Sequence, residues 1–198
     1  MLALACVVAA LLTSCDARLS REKRKELEAK SHNNTWLLFS ERHTYHLLYR
    51  SNENDSFYGG NAPCVHITSL RCYSSEMLTW NQLFFKRVEK YDLYTEKYIW
   101  THMEKFRTSF ADYDKVTFEY HLPEKYGEED FLLLFTDYKT CFTLERLADK
   151  VRQVWMIDTK NETGINATCH SAYEGVFKEK GDSGENTRYY IYNETICK

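Results

Sequence analysis

Proline and glycine are scarce, at 2 and 7 of 198 residues, against typical usage of roughly 5% and 7%. That weighs against collagen-like and linker-like architectures, and against a glycine-rich loop cradling a phosphate. Charge of one sign is also lacking. The 26 Lys+Arg and 29 Asp+Glu leave a formal net charge of -3, without the positive excess that nucleic-acid binding calls for. No Cys-x-x-Cys, zinc-type Cys/His spacing, Gly-x-Ser-x-Gly or His-Glu-x-x-His occurs. His43 and His46 fall on opposite faces of a strand, a poor pair for a metal. His102 and Glu104 share a strand face as an acid–base pair would, but strands give that geometry by accident. The expectation is therefore no enzyme, no metal and no cofactor.

Long apolar runs are missing except at residues 2–12, LALACVVAALL. That run is too short for a spanning helix and fits the core of a secretory leader. Cleavage near Ala17 gives a signal peptide over 1–17 and one domain over 18–198. Leu12-Thr13-Ser14-Cys15 also reads as a bacterial lipobox. Five Asn-x-Ser/Thr sequons, at Asn33, Asn54, Asn161, Asn166 and Asn193, exceed chance and favour a secreted, extracellular eukaryotic glycoprotein. Cysteines stand at 6, 15, 64, 72, 141, 169 and 197. Once a leader is gone five remain, which in an oxidising compartment predicts two bridges and a leftover thiol.

What is abundant is aromatic: 15 Tyr, 11 Phe and 4 Trp, which suits strands lining a core or pocket. Residues 18–32 alternate basic residues and Glu and predict a short solvated helix with a helpful Glu26–Lys30 pair. From residue 36 the pattern has period two. Strands are predicted over His43–Arg50, Val65–Tyr73, Met77–Val88, Lys97–Arg107, Val116–Leu122, Phe131–Thr136, Cys141–Leu147 and Lys150–Ile157, with a turn cluster over Asn52–Asn61. Eight such strands imply an antiparallel barrel or sandwich. Ala167–Lys180 has helical spacing, and Arg188–Ile196 reads as a last strand.

This order resembles the tick salivary lipocalins, the family of the histamine-binding proteins. The likeness rests on Trp36 with the strand HTYHLLYR, on Ala62-Pro63-Cys64-Val65, and on Thr136-Asp137-Tyr138-Lys139-Thr140-Cys141. A later Trp, a Cys opening the helix and a Cys near the C-terminus complete it. The resemblance implies a mostly-β, eight-stranded antiparallel lipocalin-type barrel with a short N-terminal helix and one C-terminal helix. It also implies the bridges Cys64–Cys197 and Cys141–Cys169, each worth ~2–4 kcal/mol. Amine-binding members carry Cys-Asp-(Val/Ile/Leu) and then Glu-Leu-(Trp/Tyr). Here the corresponding residues are Cys141-Phe142-Thr143 and Gln153-Val154-Trp155, so both acids are absent. A buried ammonium without a carboxylate costs several kcal/mol, which puts amine binding through those positions in doubt.

A small barrel holds one ligand among its inward side chains. The strand phase predicts Tyr45, Tyr49, Trp80, Trp100, Phe118, Phe135 and Trp155 as that lining, with Glu104 on the same face as a substitute carboxylate. Such rings suit a biogenic amine, eicosanoid, fatty acid or sterol. The partner expected is a small mediator of host inflammation or haemostasis, sequestered rather than turned over. The alternative is a host immune protein gripping the same barrel. Neither nucleic acid nor membrane is expected as a partner.

Overall fold

The structure, a computed structural model, describes residues 19–87, 90–107, 113–122, 125–158, 162–179 and 187–197. The expected leader over 1–17 and the sequon at Asn161 lie outside them. Helix α1, Arg21–Lys30, begins where the Ser20 side chain accepts the Lys23 amide, and it has no buried residue. Lys23 and Lys30 both bond Glu26 and hold its carboxyl at about 2. Arg24 ties the helix down by donating to the Leu37 carbonyl and pairing with Glu41 at 3.0 Å.

The next segment departs from the strand expectation. Thr35–Phe39 is a helical turn, α2, capped by Asn34, whose side chain accepts the Leu37 amide. An Asn at the N-cap outweighs the β-propensity of a five-residue apolar stretch. Leu37, Leu38 and Phe39 are all buried.

Eight strands then follow in sequence: β1 Thr44–Arg50, β2 His66–Tyr73, β3 Leu78–Arg87, β4 Lys90–Glu104, β5 Lys115–Leu122, β6 Lys125–Thr136, β7 Cys141–Arg146 and β8 Arg152–Ile157. Each is antiparallel to the next. β1 pairs with β8 on one side and β2 on the other, so the sheet closes into an eight-stranded barrel. Closure removes the free edges an open sheet would expose. β4 and β6 begin earlier than the pattern predicts.

The late strand is far shorter than Arg188–Ile196. Only Tyr189–Tyr190, β9, pairs with β1. The chain turns after Tyr192, where Asn193 accepts the Thr195 amide and Cys197 donates back to Asn193. That turn brings Cys197 to Cys64.

Both implied bridges, Cys64–Cys197 and Cys141–Cys169, are present. Cys72 is not the leftover thiol predicted. It too is disulfide-bonded. Helix α3, Ala167–Glu179, packs outside the barrel. There Thr143 donates to the Cys169 carbonyl at 2.9 Å and Arg152 to the Tyr173 carbonyl at 2.7 Å.

Two apolar clusters result. One fills the barrel, and the other lies between its wall and α3. Of the described sequons, Asn54, Asn166 and Asn193 are exposed and Asn33 is half-buried. Among the described residues no helix is long and apolar enough to cross a membrane.

Candidate ligand-binding site

Inside the barrel the wall is almost wholly aromatic at the end where β1 begins. Phe39, from α2, meets Tyr45, Phe118 and Phe142 edge-on at 5.2, 5.9 and 5.6 Å. Phe142 stacks flat on Trp155 at 5.9 Å. The Tyr45 hydroxyl donates to the Leu38 carbonyl at 2.8 Å, so α2 closes this end.

The opposite end is covered by the loop between β1 and β2. Its short 3-10 turn, Ser56–Tyr58, is capped by Asp55, and Asp55 and Gly60 exchange both backbone bonds. The turn drives two rings into the mouth. Phe57 packs on Phe118 and Tyr120, and Tyr58 meets Trp155 edge-on at 5.7 Å. Each ring pair is worth about 0.5–1.5 kcal/mol beyond its buried area, so three of them hold the loop shut by a few kcal/mol.

Polar contacts reinforce this lid. Arg50, fully buried, donates to the carbonyls of Asn52, Glu53 and Gly60. Arg146 grips both oxygens of Asp55 at 3.1 and 3.2 Å. Lys97 donates to the Phe57 carbonyl at 3.2 Å, with its ammonium over the rings of Phe85 and Tyr120. Burial lowers Arg146, but its bonds to Asp149 and the charge of Asp55 outweigh that, and the net shift is upward. Burial is the largest influence on Arg50 and shifts it downward against the opposing charge of Asp55, and burial pushes the Tyr58 hydroxyl well above the ordinary tyrosine range.

Gln153 sits at the centre. It is the cross-strand partner of Arg50. Its Oε1 accepts from Tyr58 at 3.2 Å and from Trp155 Nε1 at 3.0 Å. An indole N–H can only donate, which fixes the amide's orientation. Gln153 Nε2 and Arg50 Nη1 then have no hydrogen-bond partner.

Of the predicted lining, Tyr45, Phe118 and Trp155 face inward. The other five are corrections. Tyr49 lies outside under α3, against Tyr173 and His170, because β1 bulges between Leu47 and Tyr49. Phe135 is turned out by a bulge after Leu133 and stacks on His32.

Trp80 and Trp100 face each other across β3 and β4 on the outer surface. Their strands send Thr79, Asn81 and Leu83, and Ile99, Thr101 and Met103, inside. Glu104 is on that outer face too, exposed and paired with Lys115 at 3.1 Å. Sequence reasoning missed the lid residues Phe57 and Tyr58, and Arg50 and Lys97 beneath them. The Asp55-to-Gly60 turn was the available signal.

A separate cleft of about 570 Å³ lies outside the barrel, along β1, β2 and β3. There His66 stacks on Phe84 at 4.8 Å beside His46 and Tyr94.

With this geometry in place, likeness to known proteins is informative. A family model described as tick histamine binding protein matches residues 23–198. Among solved structures, AM182 in its serotonin complex superposes with a TM-score of 0.53 at 12% identity, covering 78% of this chain and 85% of that one. Insecticyanin from the tobacco hornworm Manduca sexta gives 0.47 at 12% identity, covering 78% and 80%. At such identity the likeness to AM182 speaks to the fold alone. No curated protein matches the sequence.

Proposed function

This chain belongs to the tick histamine-binding protein family, and from that membership we propose that it is a secreted lipocalin that sequesters a small apolar or aromatic host mediator inside its barrel. The observation that carries the reading is the mouth. A loop of the protein's own chain inserts Phe57 and Tyr58 where a ligand would sit, and it is held by contacts that can be exchanged rather than by strand pairing. The apolar lining with a few placed polar groups is the usual composition of a small-molecule site. Capture is stoichiometric, so the protein acts at concentrations matching the mediator, and suppression of inflammation or haemostasis follows from removing it. The leader over 1–17, export and use of the sequons are parts of the same proposal.

One observation favours a second reading, a protein-binding immunomodulator. Tyr98, Trp80 and Trp100 form a stacked ladder on the outer face of β3 and β4, and Tyr98 is 49% exposed. Exposed aromatics of this kind are enriched at protein interfaces.

Native mass spectrometry of the glycoprotein from eukaryotic cells, with amines, leukotrienes, fatty acids and sterols titrated, should give one-to-one adducts. No adduct across all four classes removes the reading. A host-serum partner lost in Trp80→Ser/Trp100→Ser, with adducts unchanged, establishes the second.

A further inference from the structure

The outer wall of the barrel carries large rings where a sheet facing water ordinarily carries polar side chains. The ladder on β3 and β4 continues onto β2. Tyr98, Trp80, Trp100 and Tyr73 follow one another at 5.4, 6.1 and 6.1 Å between ring centres, and all four are at least partly open to solvent. Beside them runs a strip of negative charge. Glu119 is the cross-strand partner of Trp100, and Glu128 is the partner of Glu119. Carboxylates directly opposite each other destabilise a sheet, so the fold holds this pair at a cost. Glu96 accepts from Gln82 at 2.6 Å and from the Tyr98 hydroxyl. Asp130 and Glu104 extend the strip and share Lys115 at 3.0 and 3.1 Å. The local field is felt at Tyr126. Its hydroxyl is pushed up to about 12 by its bond to Glu128 first, with the charges of Glu119, Glu128 and Asp130 adding to it. Cations that the fold places on this wall sit on rings: Arg71 lies 6.0 Å over Tyr73 and Lys86 lies 5.4 Å over Tyr94.

We propose that this aromatic wall docks an arginine-rich segment of a partner protein, with guanidinium groups laid on the indoles and bonded to the carboxylates of β4 to β6. This rests on the protein-binding reading above and names the chemistry of its partner. The extent of the wall selects a chain. From β3 to β6 it spans about 14 Å, at ~4.8 Å between strands, which is too broad for one small cation. The sign selects a basic chain. Among the described residues of this strip carboxylates outnumber cations, so an acidic segment or an anionic membrane surface is repelled. The pairing of rings with carboxylates selects arginine. A guanidinium is planar, stacks on an aromatic face and takes a carboxylate through two bonds, whereas an ammonium is a strongly hydrated point charge. Arg71 on Tyr73 is the same contact made within the chain. A second copy paired face to face would set the strip against itself, since a two-fold interface brings the same patch from both subunits. A cation placed between Glu119 and Glu128 relieves their opposition, so docking recovers what the free fold gives up.

The test uses labelled nona-arginine, nona-lysine and nona-glutamate, titrated against the full-length glycoprotein at physiological ionic strength and read by fluorescence anisotropy. Nona-arginine should bind, nona-lysine should bind at least fivefold more weakly, and nona-glutamate should not bind. Trp80→Ser/Trp100→Ser should weaken nona-arginine at least tenfold. Glu119→Gln/Glu128→Gln keeps the acceptors used by His102 and Tyr126, and so the fold, and should weaken it as much. The same loss of charge on α1, in Glu22→Gln/Glu26→Gln, should change it less than twofold. Nona-lysine binding as tightly as nona-arginine overturns the assignment. So does nona-arginine binding that survives Glu119→Gln/Glu128→Gln, and so does no binding of nona-arginine at all. A dimer in sedimentation that Trp80→Ser/Trp100→Ser dissolves also overturns it, because a second copy then covers the wall. In each of these cases a host-serum partner lost with the two tryptophans keeps the protein-binding reading standing, and that reading falls only when no such partner is found.

Discussion

Replacing Gln153 by leucine removes the one acceptor shared by the Tyr58 hydroxyl and the Trp155 indole. Both are buried, and an orphaned buried donor costs about 1–3 kcal/mol. The expected outcome is a loss of about 2–4 kcal/mol, after partial rearrangement, seen as a lower urea midpoint with an unchanged slope. Gln153→Glu keeps the acceptor and should lose less. Individual residues were legible only where their strand was regular. Tyr45, Phe118 and Trp155 sit inside as their alternation says. Tyr49 and Phe135 follow the same alternation in sequence yet face out, because a one-residue bulge reverses every side chain beyond it. Nothing local marks those bulges. Trp80 failed differently, since both faces of β3 are amphipathic. Choosing the indole face there also misplaced Trp100, its cross-strand partner, and Glu104 further along β4.

Among the elements, the β1–β2 loop is the one whose behaviour matters most. Gly59 has a φ of +83°, and a Cβ there would lie 2.3 Å from the Phe85 ring. Only glycine fits both the backbone angle and the space. Gly59→Ala should therefore unseat the lid without disturbing the barrel. Amide exchange at Asp55 and Gly60, whose N–H groups bond across the loop, should quicken at least tenfold, while β5 to β8 keep their protection. Hydrogen-exchange mass spectrometry reads both at once, and unchanged exchange in the loop would mean the lid is not held as described. The turn residues of 52–61 announced a loop, but not that it folds inward, since that depends on Phe57 and Tyr58 finding rings contributed by β5 and β8. The turn α2 was likewise hidden, because its apolar TWLLF reads equally as strand until Asn34 is recognised as a cap.

At the scale of the molecule, the two assigned bridges differ in reach: Cys64–Cys197 spans 133 residues and Cys141–Cys169 spans 28. Chain entropy assigns them about 5 and about 3.5 kcal/mol. Cys64→Ser/Cys197→Ser should lower the guanidinium midpoint more than Cys141→Ser/Cys169→Ser, and the reverse order would show that the helix clasp outweighs loop closure. The period-two pattern, the cysteine positions and the absent acids at Phe142 and Gln153 were all set by the order of residues along the chain. Alternation is a local property, and it implied an antiparallel barrel or sandwich; closure into a barrel and the clasp on the late helix were what the family resemblance implied. Which face of each strand is inside, and which groups share the mouth, only the folded barrel decided. Bulges set those phases, and Arg50, Gln153, Tyr58 and Lys97 come from four separate stretches of chain that meet only when the barrel closes.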